Sequence, residues 1–223
     1  MRLTLKIWRQ ADPHSDGRWV SYPTEDLDPN TPLIDVLEGL NQTLRQRAER
    51  PIAFEYECRR GLCGLCGFVI DGQAHGPRQH KAICQLTAAD FRNGATVHME
   101  PWRARALPLV SDLKVDKNAL LRALQAASLD SLAATAKAAQ PGTCIECGAC
   151  VAACPNASAA LFAGAGADRL DDGLRLHALL KSLDDDGFGT CSDHGHCADA
   201  CPQAIDLGAI ARLNRAFLKH LWA

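Results

Sequence analysis

Cys58, Cys63, Cys66 and Cys84 are spaced C-x4-C-x2-C with a distant fourth thiol. Cys144, Cys147, Cys150 and Cys154 run C-x2-C-x2-C-x3-C and lead into Pro155. Cys191, Cys197 and Cys201 run C-x5-C-x3-C and lead into Pro202. The three groups use all 11 cysteines of the chain. The first spacing is the plant-type pattern for a [2Fe–2S] cluster, and the second is the bacterial run that serves [4Fe–4S] clusters. Thiolates so arranged hold iron and sulfide, and such cages pass electrons one at a time.

In the first group one tight loop supplies three thiolates, and Cys84 closes the cage from another segment. Gly61, Gly64 and Gly67 let the backbone curl closely around a cluster, and amide N–H groups aimed at sulfur tune its potential. A zinc site is the competing reading, although structural zinc favours two matching C-x2-4-C pairs. Arg59 and Arg60 lie within this loop. Their charge either favours the reduced cluster or points outward to a partner or to solvent.

In the bacterial run the fourth cysteine ligates the other cluster. By that rule Cys144, Cys147 and Cys150 join Cys201 around a [4Fe–4S] cluster, and Cys154 joins Cys191 and Cys197. A complete repeat starting at Cys191 would place a cysteine where His194 stands. Three thiolates suit a [3Fe–4S] cluster with one corner lacking iron. The alternative is a fourth iron bound by His194, since imidazole is a competent iron ligand.

The elements that must position these thiols differ between the two halves. Leu3, Leu5 and Ile7 alternate with polar residues as a strand, the turn formers from Asp12 to Gly17 follow, and Trp19 to Tyr22 return as its hairpin partner. Thr31 fits an N-cap and Pro32 the first position of a helix carrying Leu33, Val36, Leu37 and Leu40 on one face. Ile52, Phe54 and Tyr56 predict a strand leading into the first cysteine loop. Phe68–Ile70, the Asp71-Gly72 turn and Ala74 predict a second hairpin, and Thr96–Met99 a last strand. After a connection over Pro101–Pro108 the character turns alanine- and leucine-rich from about Lys114. Helices are expected over 118–139, ended by Pro141-Gly142, then over Ala157–Ala163, Leu174–Leu183 and Ile205–Trp222. The two Cys-Pro runs form a pseudo-repeat within this helical half.

The formal net charge is −2, which argues against a nucleic-acid binder. The N-terminal residues alternate like a strand and carry no signal-peptide pattern, and no apolar run approaches the ~20 residues of a membrane span. Abundant cysteine without a secretory signal points to metal chemistry in a reducing compartment. No G-x-G-x-x-G, P-loop or G-x-S-x-G motif is present, so no catalytic residues are assigned. His75, His80, His98, His177, His196 and His220 are scattered and read as surface or hydrogen-bonding histidines.

The order of the three cysteine groups resembles the iron–sulfur subunit of succinate dehydrogenase and fumarate reductase, the succinate:quinone oxidoreductases. The similarity extends to Pro108–Leu113 and to Asp185–Gly189 before Cys191. The resemblance implies an α+β chain: a plant-type ferredoxin-like (β-grasp) domain over 1–105, and an α-helical bacterial-ferredoxin-like domain over 106–223. It implies a flavoprotein partner with FAD, a membrane anchor with quinone and sometimes haem, and electrons passing from FAD through [2Fe–2S], [4Fe–4S] and [3Fe–4S] to quinone. It places the chain peripherally on the cytoplasmic face of the inner membrane. Many members have tryptophan where this chain has Ala159, and histidine where it has Ser192, so Pro155 is the one quinone-proximal residue carried over. The apolar stretch Ala157–Ala167 either docks on the anchor or packs within its own domain. Lys219, His220 and Trp222 form either a membrane-interface tip or a solvated helix end. Competing functions are the relay subunit of a soluble flavoenzyme, such as a thiol-dependent fumarate reductase, and an iron–sulfur redox sensor or zinc-binding interaction module.

Overall fold

The computed structural model describes residues 1–132, 142–170 and 172–221. The chain is mixed α/β and divides into two units. One comprises Met1–Trp102 and Leu109–Val115, and the other Arg103–Pro108 and Asp116–Ala223.

The first unit is built on a five-stranded sheet of strands β1 (Leu3–Arg9), β2 (Arg18–Thr24), β3 (Val69–Ile70), β4 (Gln73–Ala74) and β5 (Thr96–Glu100), ordered β2-β1-β5-β3-β4. β1 pairs antiparallel with β2, placing Leu5 opposite Tyr22, and parallel with β5, placing Leu5 beside Val97. Leu3, Leu5, Ile7 and Arg9 alternate inward, the period that a half-buried strand requires. Helix α1 (Leu33–Gln46) buries Leu33, Ile34, Val36, Leu37 and Leu44 in the same core as β1.

Two local expectations fail here for hydrogen-bonding reasons. Thr31 does not cap α1: Pro32 occupies that position without a side-chain cap, and the Leu33 N–H donates to the Leu86 carbonyl at 2.9 Å. The first orphan donor of the helix is thus met by tertiary structure. Ile52–Tyr56 is not a strand. The side chain of buried Asn41 takes both backbone groups of Ile52, while the Ala53 N–H donates to Asp112 and its carbonyl accepts from Leu113. Those groups are satisfied without a ladder.

The change to helix at Lys114 is also corrected. Strands β6 (Leu109–Ser111) and β7 (Lys114–Val115) form a hairpin that belongs to the first unit. Its anchor is Asp112, which is fully buried. The carboxylate accepts from Arg9 Nε at 3.1 Å, from both guanidinium nitrogens of Arg50 at 2.7 and 2.8 Å, and from the Gln10 and Ala53 N–H groups. A buried charge needs this degree of pairing.

The second unit contains α2 (Asn118–Ala126), α3 (Ala149–Ala153), α4 (Ala160–Gly166), α5 (Gly173–Asp185), α6 (His196–Asp199) and α7 (Gly208–Leu221). The helix expected over 118–139 stops at Ala126. Ser128 turns left-handed and the Leu129 N–H bonds back to the Leu124 carbonyl, while Arg175 binds the Ala127 and Ser128 carbonyls. Residues 133–141, Asp171 and the stretch from Trp222 lie outside the described residues, including the expected Pro141 stop and the Trp222 tip. Residues 157–159 precede α4 instead of opening it, with Ser158 in an isolated parallel bridge to Gly189, and residues 205–207 precede α7. α4 is packed inside its own unit: a Cβ on Gly164 would lie 2.6 Å from the Ala209 carbonyl oxygen. Of the two readings of Ala157–Ala167, packing within the unit is the one observed for α4. Lys219 is exposed, while His220 packs against Gly173. Among the described residues no helix is long and apolar enough to cross a membrane.

Candidate metal centres

The loop from Cys58 to Cys66 wraps its thiols with backbone donors. The Arg60 and Leu62 N–H groups lie 3.4 and 3.2 Å from Cys58 Sγ, and the Gly61 N–H lies 3.2 Å from Cys84 Sγ. That last bond joins the loop to the remote cysteine. Cys84 sits on a short 3₁₀ turn, Ile83–Gln85, whose Gln85 amide oxygen accepts from the Ala82 N–H at 3.0 Å. The same Gln85 side chain fills the space where a Gly61 Cβ would go, 2.5 Å away, and Gly61 has φ +73°. Gln85 therefore fixes both halves of this thiol set. The spacing gave no sign of that, because the contact spans separate segments.

Electrostatics follow the donors. Burial pushes the Cys58 thiol up, but the Arg60 and Leu62 N–H groups outweigh it and leave Cys58 below the ordinary thiol value. Cys66 is lowered chiefly by its hydrogen bond with Cys84, and Cys84 is raised by that same bond and by burial.

Arg59 does not face the thiols as a free charge. Its guanidinium pairs with Asp35 and Glu38 on α1 and lies over the Tyr56 ring, 5.0 Å from its centroid. The arginine ties the cysteine loop to the helix. Arg60 is exposed.

The second unit brings its cysteines into two pockets. One, with ≈ 360 Å³ of non-atom space including its mouth, is lined by Cys144, Cys147, Cys150 and Cys201 together with Leu161, Phe162 and Ile205. The other, of ≈ 340 Å³, is lined by Cys154, Cys191, Cys197 and His194 together with Leu161, Leu207 and Ile210. Each Cys-Pro cysteine therefore sits with the opposite run. Burial raises Cys144 strongly, with the Cys147 and Cys201 charges adding to it. Burial raises Cys147 to about 11, and burial with Coulomb repulsion from Cys144 and Cys147 raises Cys150. Cys197 and Cys201 are also raised by burial. Four thiols that penalise one another's ionisation fit a polycationic core that would offset their charge.

Pro155 is exposed at the start of the turn after Cys154, and Ala159 is buried. Ser192 accepts from the Asn156 side chain at 2.8 Å, and Asn156 also binds the Thr190 carbonyl. These bonds pin the two runs together at the edge of the second pocket. Among the described residues no three Cys, His, Asp or Glu side chains close on a point as around one chelated ion. A polynuclear cluster makes a different demand, with each thiolate reaching its own iron.

The 2Fe-2S iron-sulfur cluster binding domain family matches residues 4–122. The chain belongs to that family. The 4Fe-4S dicluster domain family matches residues 140–205, which include seven of the cysteines, those from Cys144 to Cys201. The chain is 26% identical to the fumarate reductase iron-sulfur subunit of Escherichia coli O6:H1 over 159 residues, covering 65% of this chain and 57% of that one. It is 25% identical to the succinate dehydrogenase iron-sulfur subunit of Bacillus subtilis over 156 residues, covering 60% and 58%. The alignments thus span less than two thirds of either relative. The chain's fold is similar to a chain of the Mycobacterium smegmatis Sdh1 complex in the apo form, with TM-score 0.65 and 18% identity over 100% of this chain and 98% of that one. The resemblance first carried by the cysteine pattern holds in these comparisons.

Proposed function

We propose that this chain is the electron-transfer subunit of a succinate dehydrogenase or fumarate reductase complex. It relays electrons between the FAD of a flavoprotein partner and quinone at a membrane anchor, and it lies peripherally on the cytoplasmic face of the membrane. Its first unit is a plant-type ferredoxin-like β-grasp domain, and its second a bacterial-ferredoxin-like helical domain. In this reading Cys58, Cys63, Cys66 and Cys84 hold [2Fe–2S]; Cys144, Cys147, Cys150 and Cys201 hold [4Fe–4S]; Cys154, Cys191 and Cys197 hold [3Fe–4S]. When bound, these clusters supply one-electron carriers.

The chain's own residues orient and insulate. The Arg60, Gly61 and Leu62 amides donate to sulfur in the first loop and stabilise negative charge there. Leu161, Phe162, Ile205 and Ile210 wall the two pockets of the second unit with apolar surface, which lowers the local dielectric and so bears on potential. No residue here is assigned bond-making on an organic substrate, and Pro155 is the residue placed nearest quinone. The observation that carries the proposal is the division of seven cysteines into one pocket with four and one with three.

The test is the full chain prepared anaerobically with its flavoprotein partner. Three distinct cluster signals that bleach when succinate is added support the proposal. Zinc without acid-labile sulfide, or clusters that stay oxidised under succinate, would overturn it.

A further inference from the structure

The two cysteine runs of the second unit repeat one backbone. Glu146 and Asp193 both have φ 58°, Gly148 and Gly195 have φ 83° and 80°, and Ala157 and Ala204 have φ 51° and 55°. Left-handed non-glycine residues are uncommon, so matched pairs fix the register. In that register Cys144 corresponds to Cys191, Cys150 to Cys197 and Cys154 to Cys201, while Cys147 corresponds to His194. Cys147 lines the four-thiol pocket, and His194 lines the three-thiol pocket. The His194 ring stacks on His196 at 6.1 Å and 19° between planes, and His194 is exposed.

We infer that His194 is the ligand for an exchangeable fourth iron at the third site. The inference rests on the proposal that Cys154, Cys191 and Cys197 hold a [3Fe–4S] cluster there. An imidazole nitrogen supplies the lone pair that a cysteine supplies in the sister run. The step balances without further redox change: the one-electron-reduced [3Fe–4S]⁰ cluster and one Fe²⁺ give [4Fe–4S]²⁺. The reducing electron comes from dithionite in the test, and any proton on the binding nitrogen leaves to solvent. The exposure of His194 gives aqueous iron a route to that corner.

The full chain, purified anaerobically with its clusters, is first oxidised and its three-iron EPR signal recorded. It is then reduced with dithionite, given isotopically labelled ferrous iron, desalted, re-oxidised anaerobically with a mild one-electron oxidant, and measured by EPR and Mössbauer spectroscopy. The wild type loses the three-iron signal and gains about one labelled iron per chain, the stoichiometry of a single vacant corner. His194→Ala and His194→Gln keep the three-iron signal and bind the added iron at least about tenfold more weakly. His194→Cys takes it up, and His196→Ala does so as the wild type does. Unchanged signals from the other two clusters show that each variant is folded. A wild-type signal indifferent to ferrous iron, or Ala and Gln variants that load like the wild type, would overturn the inference. Absence of any three-iron signal before iron is added would instead overturn the reading of the third site.

Discussion

Around Cys58 and Cys84 the N–H groups of Arg60, Gly61 and Leu62 stand 3.2–3.4 Å from sulfur. Around Cys147 and Cys150 burial dominates, and both thiols are held well above their ordinary value. At Cys58 the loop's amides outweigh burial; in the second unit amides reach sulfur too, the Glu146 N–H lying 3.4 Å from Cys144 Sγ, but burial outweighs them. The scaffolds differ in the same sense. The first loop hangs on a sheet and a 14-residue helix, whereas α3 and α6, beside the pockets, are 5 and 4 residues long. Helices so short are not stable by themselves. Ligand chemistry and fold stability are therefore largely separate in one unit and fused in the other.

The largest expected effect breaks this contrast directly. Stripping iron with a chelator under reducing conditions should abolish amide protection around α3 and α6 and leave β1, β5 and α1 protected. Binding energies of metal sites reach about 10 kcal/mol, more than short helices can replace. Hydrogen exchange read by mass spectrometry checks it, and uniform loss in both units would show that the first also depends on metal.

Next comes Asp112→Ala. It leaves the Arg9 guanidinium, 9% exposed at its side chain, without its carboxylate, and should cost the first unit about 3 kcal/mol. Denaturant unfolding of the loaded protein measures this, with the second unit's cluster signals unchanged up to the transition.

A smaller effect appears with pH. A thiol raised by burial keeps its proton to higher pH, and iron must displace that proton. Acidification therefore works against loading most strongly where thiols are raised. In the second unit Cys144, Cys147 (at about 11), Cys150, Cys197 and Cys201 are all raised, whereas in the first Cys84 is raised but Cys58 and Cys66 are lowered. Reconstitution of the chain with iron and sulfide should fail in the second unit at a higher pH than in the first. Cluster absorbance and EPR across a pH series decide it, and a shared midpoint would remove the electrostatic half of the comparison.

The smallest effect sharpens the contrast. Asp172 caps α5 by accepting from the Leu174 N–H at 2.8 Å. Asp172→Ala should cost about 1 kcal/mol and leave every cluster signal intact, because α5 contributes no cysteine.

Much of the thiol grouping was legible because the spacing within each run is local. The crossing of Cys154 and Cys201 between runs, expected from the motif, agrees with how the two pockets are lined. What escaped were side chains that act at a distance along the chain. Asn41 and Asp112 replace a ladder at Ile52 and Ala53, so an alternating apolar segment is not a strand. Gln85 links Cys84 to Gly61, and Asp35 with Glu38 captures Arg59. The α2 helix ended early because Ser128 turns left-handed and Arg175 takes the freed carbonyls, which no composition of leucine and alanine announces.

The crossed ligand sets are the central claim, and a pair of variants tests them most directly. In the anaerobically purified chain, Cys201→Ser should disturb the four-iron centre while the three-iron EPR signal survives. Cys154→Ser should do the reverse. If Cys201→Ser removes the three-iron signal and spares the four-iron one, each run holds its own cluster and the account is contradicted.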